Sequence, residues 1–141
     1  MNTSLRRIVL AVTVLIGLVI GIWAEFLPRA FYDAFPGFGL HWVDVAGPYD
    51  EHLVRDVGAF YLALAVASGA AIAARTAAPG RVVGLAWTVF GVLHLGYHLL
   101  HLEGSTFDRV GNVVSLAVCL LLGILLVLPP RRRAVVTEAT R

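Results

Sequence analysis

The stretch "VVGLAWTVFGVLHLGYHLLHL", residues 82–102, indicates the class of fold to which this chain belongs. It contains no Asp, Glu, Lys or Arg over its whole length. A helix of about 20 residues, rising 1.5 Å per residue, crosses the ~30 Å hydrocarbon core of a bilayer. The stretch is therefore predicted to be a membrane-spanning helix.

Three other stretches have the same character, namely residues 8–24, 57–74 and 110–128. The whole chain is 59% apolar and only 14% charged, whereas soluble domains are about 45–50% apolar and about 25% charged. Because backbone groups in lipid must satisfy one another, each stretch is expected to be helical. The sequence predicts an all-α fold, an integral membrane four-helix bundle in one domain over residues 1–130.

The distribution of arginine predicts the orientation. Eight of the 11 arginines lie before the first span, between the second and third spans, or after the fourth. Eight of the nine acidic residues lie on the other side. The positive-inside rule then puts both termini in the cytoplasm, with a multi-pass protein in the plasma membrane and residues 131–141 as a cytoplasmic tail. The first span is longer than a signal-peptide core and lacks a cleavage site, so an uncleaved helix is expected.

The connection between the first two spans, residues 25–56, is long and rich in aromatic residues. Long connections without structure of their own are uncommon in compact domains. We expect short amphipathic pieces at the outer interface, with their rings at the level of the lipid headgroups. The same segment is long enough to form a lid over the outer end of the bundle.

Three histidines follow one another on one face of the third span, since His94, His98 and His101 are spaced i, i+4, i+7. Imidazoles at this spacing can share a metal ion, and a carboxylate from Glu51 or Asp56 would complete a site for zinc, copper or iron. Haem is not expected, because the other spans have no deep histidine to act as a second ligand. The alternative for His94 is a neutral imidazole hydrogen-bonded to a neighbouring helix.

Further polar residues lie at the outer ends of the second, third and fourth spans. Ionisable groups at membrane depth usually face the bundle interior, so an outward-facing pocket is predicted. In addition to the histidines, its expected residues are Glu51, His52, Arg55, Asp56, Tyr97, Asp108 and Asn112. Two alternatives remain open: Arg55 and Asp56 hold the loop or a neighbouring helix, and His101 with Glu103 is only a polar helix end.

Other local patterns are less informative. Cys119 is expected to be a small core residue. Gly17 and Gly21 form a GxxxG pattern, which is typical of a helix–helix contact or a dimer face. The chain has no GxGxxG, P-loop or GxSxG motif, so nucleotide-binding and serine-hydrolase functions have no support.

The segment "RDVGAFYLALAV", residues 55–66, opens the second span and resembles the DoxX-like small membrane proteins. The shared features are four short helices, a long outer loop after the first, and Arg55-Asp56-x-Gly58 before an alternating Leu/Ala run. The resemblance implies a setting in membrane redox complexes and quinone-coupled sulfur oxidation. It implies no role for any individual residue.

Three functions are compatible with these observations. In the first, the pocket binds a metal ion or a quinone-like lipid and the protein is a redox accessory. In the second, the chain is a structural membrane subunit without chemistry. In the third, it is a small lipid-active enzyme that uses a His/Asp acid–base pair. The expected partners are the lipid bilayer, a quinone or lipid ligand, and either a second copy of the chain or a membrane complex. No nucleic-acid partner is expected.

Overall fold

The computed structural model describes residues 2–129. The helices in this range are α1 (Ser4–Phe26), α2 (Pro28–Ala34), α3 (Glu51–Ala73), α4 (Ala78–Leu100) and α5 (Thr106–Val127). All but α2 are long and apolar enough to cross a membrane. The predicted helical fold and its four long helices are therefore confirmed, whereas the predicted tail at residues 131–141 lies outside the described residues.

Three of the long helices, α1, α3 and α5, begin earlier than the apolar stretches because polar residues cap their first turns. Asp50 accepts a hydrogen bond from the backbone N–H of Leu53 at the start of α3. Ser105 and Asp108 form a capping box at the start of α5. Such caps satisfy N–H groups that have no partner inside the helix. Hydropathy alone marks the apolar part of each helix and misses these polar first turns.

Glycine allows α1 and α3 to pack closely. A Cβ atom on Gly17 would lie 2.8 Å from the carbonyl oxygen of Tyr61, and one on Gly58 would lie 2.5 Å from the backbone nitrogen of Glu25. Gly21 is equally close to α3. The GxxxG pattern of α1 therefore serves a contact within the chain.

The second helix pair, α4 and α5, is built in the same way. A Cβ atom on Gly84 would lie 2.5 Å from Cβ of Leu126, and one on Gly123 would lie 2.8 Å from the backbone nitrogen of Thr88. Between the two pairs lies a core that includes Leu10, Tyr61, Trp87 and Leu126. The bundle thus consists of two closely packed pairs joined by larger side chains.

Three side chains cap helix C-termini at the inner end. The amide of Asn2 donates to carbonyl groups at the end of α3. The buried guanidinium of Arg6 donates to the end of α5, with Nη1 2.9 Å from the carbonyl oxygen of Leu128. Arg81 Nε donates to the carbonyl oxygen of Val127 at 3.1 Å. A cation at a helix C-terminus complements the partial negative charge there.

The outer segment, residues 27–50, consists of short pieces. It contains α2, a two-residue strand pair (β1, Pro36–Gly37, and β2, Leu40–His41) and a 3₁₀ turn at Asp44–Ala46. Phe31 of α2 packs edge to face on Trp23 of α1, with centroids 5.8 Å apart. Farther along the segment, the ring of Trp42 reaches α5. The outer segment therefore crosses the outer end of the bundle from α1 to α5.

Candidate functional site

The outer half of α4 carries a column of rings that includes two of the predicted metal ligands. His94 stacks on Phe90, with ring centroids 5.0 Å apart, and His98 meets His94 edge to face at 4.9 Å. Phe90 packs edge to face on Tyr61 of α3, with centroids 5.4 Å apart. The i, i+4 spacing therefore places both imidazoles on one face, where they extend the aromatic core toward the outer end.

His101 has different surroundings, because α4 ends at Leu100 and His101 is its C-cap. Its Nδ1 lies 2.9 Å from the carbonyl oxygen of Tyr97, and the two side-chain rings stack with centroids 4.2 Å apart. A carbonyl group only accepts, so Nδ1 carries the proton in this contact. This geometry agrees with the alternative that His101 is a polar helix end.

His94, His98 and Asn112 have hydrogen-bonding capacity that protein groups do not use. Across residues 2–129 the histidine side chains that form hydrogen bonds are His41 and His101. The Oδ1 atom of Asn112 is buried and also has no partner in that range. Buried polar atoms usually have a hydrogen-bond partner, so one without a protein partner is a candidate to bind a ligand or a water molecule. The expected hydrogen bond between His94 and a neighbouring helix is not found in this part of the chain.

A small opening between the outer ends of α4 and α5, the histidine cleft, brings several predicted residues together. Its volume is about 30 Å³, room for about two water molecules. Tyr97, His98 and His101 line it from one side, Asp108 and Asn112 from the other, and Trp42 from the outer segment.

Trp42 attaches the outer segment to this cleft. Its indole Nε1 donates to Oδ1 of Asp108 at 3.2 Å. The ring lies against Gly111, where a Cβ atom would be 2.8 Å from Cζ2 of the tryptophan. The other carboxylate oxygen of Asp108 accepts hydrogen bonds from Ser105 in the capping box. Asp108 was predicted as a residue of the polar pocket, and in the structure both of its carboxylate oxygens accept hydrogen bonds from groups of the chain itself.

The remaining predicted pocket residues form a separate group at the start of α3. Nε of Arg55 donates to Oε1 of Glu51 at 2.9 Å, and Nη1 donates to the carbonyl oxygen of Glu25. Glu25 is in the last turn of α1, so the guanidinium caps that helix and joins it to α3. This agrees with the alternative in which Arg55 holds a neighbouring helix. Of the predicted pocket residues, the structure brings Tyr97, His98, His101, Asp108 and Asn112 to the histidine cleft, whereas Glu51, His52, Arg55 and Asp56 do not line it.

The two His–Asp pairs in the described range are His52–Asp56 and His41–Asp44, both with a shortest distance of 3.4 Å. The His52 and Asp56 side chains are 88% and 63% exposed, so bulk water surrounds them. Neither pair includes His94 or His98. The acid–base pair needed by the enzyme hypothesis therefore has no counterpart in the histidine cleft.

The metal hypothesis also lacks support in the structure. Residues 2–129 contain no group of three or more His, Cys, Asp or Glu side chains that could hold a metal ion. The reason is that the expected ligands have other partners: Asp56 faces His52, Glu51 binds Arg55, and His101 binds the backbone of Tyr97. A zinc-type site needs its ligand atoms to converge on one point.

Sequence reasoning missed Trp42 as a cleft residue and Phe90 as the base of the ring column. One signal was present, because a glycine within a helix, here Gly111, leaves room for the close approach of another group. Nothing in the local sequence of the outer segment says which of its aromatic rings fills that space.

No family model matches this chain, and no curated protein or solved structure is significantly similar to it. The resemblance to DoxX-like proteins therefore stays a prediction.

Proposed function

We propose that this protein is a multi-pass plasma-membrane protein, with both termini cytoplasmic, that binds the ring of a quinone-like lipid in the histidine cleft. It would act as an accessory to a membrane redox complex, in the setting that the DoxX-like resemblance implies. The observation that carries the proposal is that His98 and Asn112 both line the cleft, while the His98 imidazole and the buried Oδ1 atom of Asn112 have no hydrogen-bond partner among residues 2–129.

The chemistry of these groups suits both redox states of a quinone. An imidazole N–H of His98 donates to a carbonyl oxygen of the oxidised ring. The Oδ1 atom of Asn112 accepts from a hydroxyl group of the reduced ring. Aromatic side chains at the cleft offer faces for stacking, and the apolar tail of the lipid would lie along exposed side chains such as Leu99 and Leu102.

The cleft is too small to admit a quinone ring unless the structure around it opens. Sites for ring-sized ligands usually measure about 300–1,000 Å³, whereas the cleft holds about 30 Å³. The ring can enter only after Trp42 leaves Gly111, because this side chain and its neighbours form the roof. We therefore propose that the outer segment opens as a lid when the lipid binds.

The test is a binding titration on the purified protein in quinone-free nanodiscs. A short-chain naphthoquinone is added, and binding is followed by tryptophan fluorescence in the Trp23→Phe background, where Trp42 and the buried Trp87 remain. We expect saturable quenching, and at least tenfold weaker binding in the His98→Phe and Asn112→Leu variants, because each loses a hydrogen bond to the ring.

The matched control is His52→Phe, which alters an exposed histidine outside the cleft and should bind normally. Equal binding by all four proteins, or no saturable binding by the unaltered one, would refute the proposal. Mass spectrometry on the same samples measures their metal content and so tests the metal hypothesis independently.

A further inference from the structure

A second opening lies where α1 ends and α3 begins. This tyrosine groove is shallow and has a volume of about 460 Å³. Its walls include Leu27, Arg29, Asp33, Tyr49 and Glu51. It shares no lining residue with the histidine cleft, so its function is independent of the proposal above.

The guanidinium of Arg29, whose side chain is 65% exposed, contacts a carboxylate and two aromatic rings in this groove. Its Nε lies 2.8 Å from Oδ2 of Asp33. Its Cζ lies 5.5 Å from the ring centroid of Tyr32 and 5.0 Å from that of Tyr49. A planar guanidinium stacked on aromatic rings is well suited to bind an oxyanion with two parallel N–H groups. In residues 2–129, one nitrogen of this guanidinium is engaged by a side chain and the two Nη atoms are not.

Tyr49 supplies a second donor beside Arg29. The hydroxyl group of Tyr32 donates to the carbonyl oxygen of Gly47 at 2.6 Å and so fixes its ring, whereas the Tyr49 hydroxyl has no partner among the described residues. The hydrogen bond with Asp33 raises the pKa of Arg29. Loss of hydration, followed by the charge of Glu51, raises the pKa of Tyr49. Both groups therefore remain protonated donors at neutral pH.

Acceptors for a cation lie in the same groove. Glu51 uses Oε1 to bind Arg55, and Asp33 uses Oδ2 to bind Arg29, which leaves one oxygen on each carboxylate. The groove thus presents donors and acceptors side by side. A ligand that carries a negative and a positive group at once would satisfy both, whereas a purely anionic ligand would meet the two carboxylates.

The location of the groove points to a lipid. It begins where the apolar helix α1 ends, and the side chains of Phe26 and Leu27 there are 65% and 60% exposed. If α1 spans the membrane, its end is at headgroup level, where charged groups and aromatic rings meet the polar part of the bilayer. The exposed apolar side chains beside the groove offer a surface for acyl chains.

We propose that the tyrosine groove binds the headgroup of a phosphoethanolamine lipid. The phosphate binds Arg29 and Tyr49, and the primary ammonium donates to Glu51 and Asp33. A choline headgroup fits less well, because its methylated nitrogen has no N–H to donate to carboxylates. The aromatic faces that could bind it instead already hold Arg29.

The experiment is native mass spectrometry of the detergent-purified full chain, titrated with phosphatidylethanolamine, phosphatidylcholine and phosphatidylglycerol of identical acyl chains. We expect at least tenfold tighter binding of the ethanolamine lipid than of the other two. The Arg29→Gln variant should lose this preference, whereas Arg109→Gln, which alters another exposed arginine of the outer side, should keep it.

A second variant tests the carboxylate of Glu51 while Arg29 stays unaltered. Glu51→Gln removes the negative charge and replaces one acceptor oxygen by an N–H donor, so its preference should change from the ethanolamine lipid to the anionic glycerol lipid. Equal binding of all three lipids by the unaltered protein would overturn the proposal. So would displacement of the lipid by an equal concentration of soluble O-phosphoethanolamine, because the free headgroup would then be the ligand.

Discussion

At the scale of single residues, Arg6 and Arg55 perform the same task at opposite ends of the bundle. Arg6 donates to the last carbonyl groups of α5, and Arg55 donates to the last turn of α1. Arg6 is 5% exposed, whereas the side chain of Arg55 is 42% exposed. The capping contact accounts for the burial of Arg6.

The Arg6→Gln variant should be clearly less stable than the unaltered protein. A hydrogen bond to a charged group contributes about 1.5–3 kcal/mol, and glutamine cannot reach both carbonyl groups. We expect a loss of roughly 2–3 kcal/mol, measured by thermal unfolding in detergent. Arg7→Gln is the matched control, because Arg7 is exposed. Equal midpoints for the two variants would contradict the capping role.

Replacement of His94 should cost less stability than replacement of Ser68, a polar residue whose side chain forms a buried hydrogen bond. The hydroxyl of Ser68 accepts from the indole of buried Trp87 at 3.1 Å, so Ser68→Ala leaves a buried donor unpaired and should cost about 1–3 kcal/mol. His94→Phe removes a side chain without a hydrogen bond in the described range and should change stability by less than about 1 kcal/mol. Unfolding of both variants under one set of conditions compares them. A larger loss in His94→Phe than in Ser68→Ala would show a structural role for the imidazole.

At the scale of helices, glycine sets which elements pair. Gly58 is part of the Arg55-Asp56-x-Gly58 pattern, and the structure gives this pattern a physical meaning. Arg55 caps the end of α1, and Gly58 lets α3 approach the backbone of Glu25 closely. Small residues at such crossings allow backbones to pack in the absence of a hydrophobic force between helices in lipid.

Two glycine-to-alanine substitutions in α3 should therefore have different effects on the free energy of unfolding. Gly58→Ala places a Cβ atom 2.5 Å from backbone, which should cost about 1–3 kcal/mol through overpacking. Gly69→Ala meets its nearest neighbour, Cγ2 of Val14, at 3.9 Å. It should be neutral or stabilising by up to about 1 kcal/mol because alanine favours helix. Thermal unfolding in detergent measures both, and a stable Gly58→Ala variant would argue against the close crossing of α1 and α3.

The outer segment should depend on a single aromatic contact with α5. Trp42→Ala removes both the ring against Gly111 and the hydrogen bond to Asp108. We expect faster deuterium uptake across residues 36–46, because local opening then costs less free energy. Phe38→Ala is the control, since the Phe38 side chain is fully exposed at 102%. Unchanged uptake in the Trp42→Ala variant would contradict the role of Trp42 as the attachment point.

At the scale of the whole molecule, the arginine distribution predicts that both termini are cytoplasmic. Cys119 is the single cysteine of the chain, so Cys119→Ser gives a background for site-directed labelling. A membrane-impermeant maleimide should label an added Phe38→Cys substitution in intact cells. It should label an added Arg75→Cys substitution only after permeabilisation. The reverse pattern would invert the topology.

The helical class and the four long helices follow from the sequence by itself. Hydropathy is a property of each residue summed along a continuous stretch, so residues 82–102 and the three similar stretches needed no knowledge of their neighbours. The asymmetry of charge is also readable along the chain. Even the common face of His94 and His98 follows from helix geometry alone.

Only the tertiary structure decided which polar groups meet. The outer ends of α3, α4 and α5 carry suitable ligand residues, yet Arg55 binds α1 and Asp108 binds Trp42. Which partner Arg55 and Asp108 meet is set by the three-dimensional packing, and the same packing leaves the buried Oδ1 atom of Asn112 without a partner among residues 2–129. That packing depends on contacts between residues far apart in the chain, such as Trp42 with Gly111 and Gly58 with Glu25, and local sequence patterns do not encode them.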